Sequence, residues 1–105
     1  MKYFVYMLRC EDGSVYTGIT TDMARRWREH TGTDGKGAKY TRRHPPVKVL
    51  SLWQCEGRGA ASRLEYRIKQ LPKPRKEELA QNGDLSLFAG VLPVEQYQYT
   101  LWEET

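Results

Sequence analysis

Six residues carry chemistry worth weighing together: Tyr6, Tyr16, Gly18, Arg26, His30 and Glu65. Cleaving a phosphodiester needs a cation against the phosphate, a group that orients or deprotonates water, and a carboxylate able to hold a divalent ion. These side chains supply one of each. Every one also has a plainer use. Tyrosines are common strand residues and pack well. An arginine beside a core can lay its stem along apolar surface with its head in water. A single histidine is more often structural than catalytic. Glu65 stands four residues before Lys69, the spacing of a helical ion pair worth a few tenths of a kcal/mol. Arg26 and Glu65 could also pair with each other. Gly18 shifts the balance, because glycine inside a strand often marks close approach of another group.

The elements that must position these residues can be read from the pattern. Lys2 to Cys10 alternates two apolar or aromatic sets, Tyr3/Val5/Met7 and Phe4/Tyr6/Leu8, which predicts a strand covered on both faces. Val15 to Thr20 is its returning partner. Thr20, Thr21 or Asp22 can cap a helix that runs to about Thr31 and stops at Gly32. Met23 and Trp27 mark its buried stripe, with Arg26 and His30 on or beside it. Residues 32–46 read as a glycine-rich basic loop. A strand follows over Val47–Cys55, then a helix over about Gly59–Leu71 with Ala61, Leu64, Ile68 and Leu71 as its apolar stripe and Glu65 on the flank. Pro74 suits the first turn of another helix ending near Asn82-Gly83. The order β-β-α-β-α-α predicts an α+β domain over residues 1–83, a small three-stranded, mainly antiparallel sheet flanked by helices. Residues 84–105 are an extension packed on, or trailing from, that domain. Its Tyr97–Trp102 stretch reads as a strand or a tail.

The hairpin register decides whether the two tyrosines can cooperate. A two-residue Asp12-Gly13 turn would set Tyr6 opposite Ile19 and put the tyrosines on opposite faces. A three-residue Glu11-Asp12-Gly13 loop sets Tyr6 opposite Gly18 and Tyr16 opposite Leu8, with both rings on one face. Gly13 suits the left-handed position of that bulged loop, and this register is the one expected.

Composition narrows the partners. The net charge is +4, and all 17 Lys and Arg precede Gly83, after which Asp84, Glu95, Glu103 and Glu104 are the only charges. A basic body suits a polyanion. Lys36, Lys39, Arg42 and Arg43 cluster in the glycine-rich loop as expected phosphate contacts, with Tyr40 among them as a platform for a base. No apolar run approaches the ~20 residues of a membrane span, and no signal peptide is evident. The expectation is a cytoplasmic monomer. Cys10 and Cys55 are too few for a metal cage or disulfide framework and are read as reduced strand residues.

Taken with its spacing, the pattern resembles the GIY-YIG nuclease superfamily over residues 3–72, most closely its small bacterial members. Phe4-Val5-Tyr6 stands where the family has its first tripeptide, and Tyr16-Thr17-Gly18 where it has the second. Arg26 falls at the family arginine and Glu65 at its metal-binding glutamate. The resemblance implies an endonuclease that hydrolyses DNA by in-line attack of water, leaving 5′-phosphate and 3′-hydroxyl ends. It implies one Mg²⁺ (or Mn²⁺) on Glu65 and Arg26 against the scissile phosphate. Tyr6 would activate the water with His30 as relay, and Tyr16 would bond the phosphate or the nucleophile. The DNA could be duplex, branched or single-stranded, and RNA stays open. Two positions depart from the family: Ile19 where some members have lysine, and Glu77 where many have asparagine. The alternative reading is a nucleic-acid-binding module that keeps the fold with a weak or inactive site.

Overall fold

The computed structural model describes residues 1–32 and 35–102. Thr33 and Asp34 of the expected loop, and Glu103, Glu104 and Thr105 of the extension, lie outside the described residues. Strands β1 (Lys2–Cys10) and β2 (Val15–Thr20) form the hairpin, followed by α1 (Met23–Thr31) and a one-turn helix α2 (Lys39–Arg43). Then come β3 (Pro46–Glu56), α3 (Arg58–Lys69), α4 (Lys73–Asn82), two 3₁₀ turns (Leu85–Phe88 and Val94–Gln96) and β4 (Gln98–Tyr99).

The fold is α+β, with an antiparallel sheet flanked by helices. The sheet has four strands, in the order β2-β1-β3-β4, where the sequence pattern predicts three. The fourth comes from the extension: Tyr99 pairs with Trp53 and Gln98 with Gln54. Of the two sequence readings of Tyr97–Trp102, a strand or a tail, the pairing selects a short strand that the three-stranded expectation left out of the sheet.

Alternation along β1 divides the core in two. Val5 and Met7 join Trp53, Leu64, Ile68, Leu79 and Phe88 beneath α3 and α4. Tyr6 and Leu8 face the other way, with Met23 and Leu52, packed by Phe4, Tyr16, Trp27 and Trp102. Both faces of β1 are therefore covered, as its unbroken apolar character predicts. Cys10 and Cys55 are free and buried. Cys55 pairs opposite Tyr3 and Cys10 opposite Pro46, near opposite ends of the β1–β3 ladder, so they cannot meet.

The hairpin adopts the bulged register. Tyr6 pairs with Gly18 and Leu8 with Tyr16. The Gly13 amide donates to the Cys10 carbonyl and the Cys10 amide to the Ser14 carbonyl, both at 2.9 Å. Gly13 has φ of 85°, the left-handed conformation the third loop residue needs. Asp22 caps α1, its Oδ1 accepting from the Arg25 amide at 3.0 Å, and Gly32 ends the helix. The basic stretch is not all loop: Lys39–Arg43 closes a helical turn that buries Thr41 and exposes Lys39, Arg42 and Arg43.

Candidate active site

Strands β1 and β2 bring the two tyrosines side by side, with ring centroids 6.3 Å apart. Gly18 makes this possible. A Cβ there would lie 2.5 Å from the Tyr6 hydroxyl oxygen, 2.7 Å from its Cζ and 3.0 Å from Tyr16 Cε2. The bare backbone of Gly18 is thus the floor on which the Tyr6 phenol rests.

Helix α1 supplies the next two groups. His30 is buried, and its ring meets both tyrosines edge-on. Its Nε2 lies 2.8 Å from the Tyr6 hydroxyl, and its Nδ1 lies 2.8 Å from Thr41 Oγ1 on α2. One turn earlier, Arg26 is partly buried. Its Nη1 donates to Glu29 Oε1 at 2.8 Å and to the Lys36 carbonyl at 3.0 Å. Its guanidinium also faces the Tyr6 hydroxyl. Arg26 therefore pairs with Glu29 within its own helix and not with Glu65, whose ion-pair partner is Lys69. Arg25, Arg26 and Arg58 stand in the wall of an open cleft of about 330 Å³ beside it.

Helix α3 packs along the edge strand β2, so the flank carrying Glu65 and Lys69 leans toward Tyr16. Lys69 Nζ lies 5.8 Å from the centre of the Tyr16 ring and 3.2 Å from Glu65 Oε2. The local helical pair anticipated from spacing is present, and it stands at the edge of the tyrosine cluster. Glu65 is near enough for its charge to act on Tyr6.

Burial sets the protonation states. Loss of hydration pushes the Tyr6 hydroxyl far above its ordinary value, opposed by the Arg26 guanidinium and reinforced by Tyr16 and Glu65. Loss of hydration, helped by the Arg26 charge, brings His30 down to about 4. At neutral pH both are uncharged. Burial alone would lower the Arg26 value, but its bond to Glu29 and the nearby Tyr6 hydroxyl raise it on balance, so it stays a cation.

Two carboxylates border this cluster: Glu29, held by Arg26, and Glu65, on the side of Tyr16 and Lys69. Among the described residues no group of three or more His, Cys, Asp or Glu side chains could hold a metal ion. A lone, partly exposed carboxylate does not suit zinc, which takes three or four protein ligands. It does suit Mg²⁺, which keeps most of its water. The Lys69 ammonium against Glu65 shows that the position already accommodates a cation.

The basic segment is tied to the same face. Tyr40 is stacked on Tyr16 at 5.7 Å and on His44 at 4.1 Å. His44 in turn pairs with Asp12 in the hairpin loop. The Ser14 hydroxyl and amide, together with His44, hold the Asp12 carboxyl down at about 2. Tyr40 is 37% exposed. Its ring links α2 to Tyr16 by stacking while part of it stays exposed.

The two departures from the family pattern have structural uses. Ile19 pairs with Val5 and packs into the α3–α4 core, away from the tyrosines. Glu77 forms a two-pronged bond with Arg9, at 2.7 and 2.6 Å, so it fastens α4 to β1. Thr41 is the site residue that spacing does not flag. It sits among basic residues in a one-turn helix, with no periodicity to show that it alone points inward.

Comparison with known proteins shows the family of this chain. Residues 2–78 match the model of the GIY-YIG catalytic domain. A UPF0213 protein of Fusobacterium nucleatum is 45% identical over 84 residues, 80% of this chain and 82% of that protein. A UPF0213 protein of Halobacterium salinarum is 47% identical over 77 residues, 73% of this chain and 97% of its own. The solution NMR structure of a UPF0213 protein from Bacillus halodurans is 46% identical, covers 75% of this chain and 82% of that chain, and superposes with a TM-score of 0.49. Nucleases of the GIY-YIG type act on nucleic acid and generally use divalent metal ions. The chain therefore belongs to the GIY-YIG nuclease superfamily.

Proposed function

We propose that this protein is an endonuclease that hydrolyses DNA phosphodiester bonds with one Mg²⁺ or Mn²⁺ ion. The observation that carries the reading is the grouping of Tyr6, Tyr16, Arg26, His30 and Glu65 around one face of the β1–β2 hairpin. They come from four separate elements, and packing alone gives no reason for a buried neutral histidine to meet a buried phenol.

Glu65 is the residue to hold the ion, with Lys69 yielding its place. When bound, the ion would neutralise charge on the leaving oxygen. The protein's own part is the proton and the phosphate. Arg26 offers a fixed cation to the scissile phosphate. Tyr16, half-buried, presents its hydroxyl to a phosphate oxygen. Water must reach Tyr6 between these partly exposed groups, because Tyr6 itself is 1% exposed. A Tyr6 phenolate does not form at rest, since burial holds the phenol neutral. The proton must therefore move in concert. As the water oxygen bonds to phosphorus, its proton passes to the Tyr6 oxygen, and the Tyr6 proton passes to His30 Nε2, 2.8 Å away. The incoming phosphate adds negative charge nearby, which favours the imidazolium so formed. Lys39, Arg42 and Arg43, exposed on α2, and Lys36 before it supply the flanking phosphate contacts, with the exposed part of Tyr40 beside them.

The test is a nicking assay on duplex, branched and single-stranded DNA and on RNA, with and without Mg²⁺ or Mn²⁺. At least one DNA form should be cut with added metal, and Arg26→Ala should slow that cut by ~10²-fold or more. If all substrates stay intact, or if folded Arg26→Ala cuts at the wild-type rate, the mechanism is wrong. In the first case the non-catalytic binding module becomes the better account.

A further inference from the structure

Thr41 is 2% exposed and His30 5%, so their contact is shielded from water. Thr41 Oγ1 donates to the Ala38 carbonyl at 3.0 Å, a bond closed within the turn that starts α2. A hydroxyl has one proton. With that proton committed to a carbonyl, which can only accept, Thr41 can only accept from His30. The 2.8 Å contact at Nδ1 must then be an N–H donated by the ring. A neutral imidazole carries one ring proton, so Nε2 holds the lone pair and the Tyr6 hydroxyl donates to it at 2.8 Å. The polarity of the whole chain, Tyr6 to His30 to Thr41 to Ala38, follows from its last acceptor.

We propose that Thr41 is a positioning residue that fixes His30 in the Nδ1–H tautomer and so keeps Nε2 open for the Tyr6 proton. The opposite arrangement would leave the hydroxyl pointing at Nδ1 and an N–H pointing at Tyr6. Nothing would then accept the Tyr6 proton. The catalytic consequence rests on the nuclease reading, but the tautomer does not. The placement of Thr41 adds a link between binding and chemistry. It is the one buried residue of α2, whose Lys39, Arg42 and Arg43 are exposed. The segment that meets the nucleic-acid backbone therefore also sets the proton acceptor.

The tautomer can be read without any substrate. Long-range ¹H–¹⁵N correlation on the full chain at neutral pH separates the ring nitrogens of His30 from those of His44, the only other histidine. Wild type should show His30 with a protonated Nδ1 and an unprotonated Nε2. Thr41→Val should turn the ring to the Nε2–H form or a mixture and slow single-turnover DNA nicking by ~10²-fold or more, in the direction a wrongly set histidine does elsewhere. Thr41→Ser should restore both readouts. An Nε2–H pattern in wild type overturns the proposal whether or not the valine variant folds. So does an unchanged Nδ1–H pattern in folded Thr41→Val. If wild type cuts no nucleic acid while His30 still changes tautomer with Thr41, the nuclease reading fails and the role of Thr41 in setting the ring stands.

Discussion

At the scale of the residue, the central object is a neutral histidine held against a neutral phenol. Each is a weak reagent at rest, and in the proposed reaction they act through the proton passed between them as the water attacks. Sequence spacing puts Arg26 and His30 on one helical face and Glu65 beside an apolar stripe. The sequence reading leaves a pair between Arg26 and Glu65 open; in the structure Arg26 instead bonds Glu29, three residues on in the same helix. The state of His30 has a consequence for stability. Its folded value, about 4, lies below the ordinary value near 6.5. Between those values the unfolded chain binds the proton and the native chain does not, so stability falls as pH falls through that window. From pH 7 to 5 this should remove about 2 kcal/mol. Urea unfolding of wild type and His30→Gln checks it: the variant should lose markedly less between those pH values. Equal losses would mean that His30 is not buried as a neutral ring.

At the scale of the element, the hairpin does the positioning. Its register was legible because Gly13 can take the left-handed position of a three-residue loop and because Gly18 then falls opposite Tyr6. One residue fewer in the loop would have sent the tyrosines to opposite faces. Helix α2 was not legible, and β4 was legible only as one of two readings of Tyr97–Trp102, a strand or a tail. A five-residue turn and a two-residue strand are too short for a period, and their existence depends on Thr41 reaching His30 and on β3 offering an edge. The role of Gly18 gives a direct test. Gly18→Ala places a methyl against the Tyr6 hydroxyl and Cζ, in a core where Tyr6 cannot swing away. The strain should cost about 1–3 kcal/mol. Displacing the phenol from His30 should slow DNA nicking by ~10²-fold in protein that remains folded. A folded Gly18→Ala that cuts as fast as wild type would show that the position of the phenol is not critical.

At the scale of the whole molecule, a basic body and an acidic end divide the labour. The charge split was visible in the sequence; the structural use of the end was not. Leu85, Phe88, Leu92 and Tyr97 enter the main core, and the Tyr97 hydroxyl donates to the Ala60 carbonyl at 2.6 Å. No regular period links these four positions, because 3₁₀ turns and irregular chain carry most of them. Trp102 reaches the opposite face and meets Trp27 on α1 edge-on at 5.8 Å. Burying four such side chains contributes roughly 6–12 kcal/mol, at about 1.5–3 kcal/mol each. That is comparable with the entire stability of a small domain, about 5–15 kcal/mol. A chain cut after Gly83 should therefore lack a cooperative thermal transition by circular dichroism. A sharp transition within a few degrees of the full chain would show that residues 1–83 form a self-sufficient unit. No helix among the described residues is long and apolar enough to cross a membrane.

The central claim, that this face of the hairpin cuts DNA with a metal held by Glu65, is tested most directly by Glu65→Gln. The substitution keeps the size and one acceptor oxygen but removes the carboxylate charge beside Tyr16 and Lys69. The measurement is single-turnover nicking of the preferred DNA across a Mg²⁺ and Mn²⁺ titration, with unfolding followed on the same preparations. Wild type should cut only when metal is added, and Glu65→Gln should stay at background at every metal concentration while unfolding much as wild type does. Equal metal-dependent nicking by a folded Glu65→Gln would contradict the account.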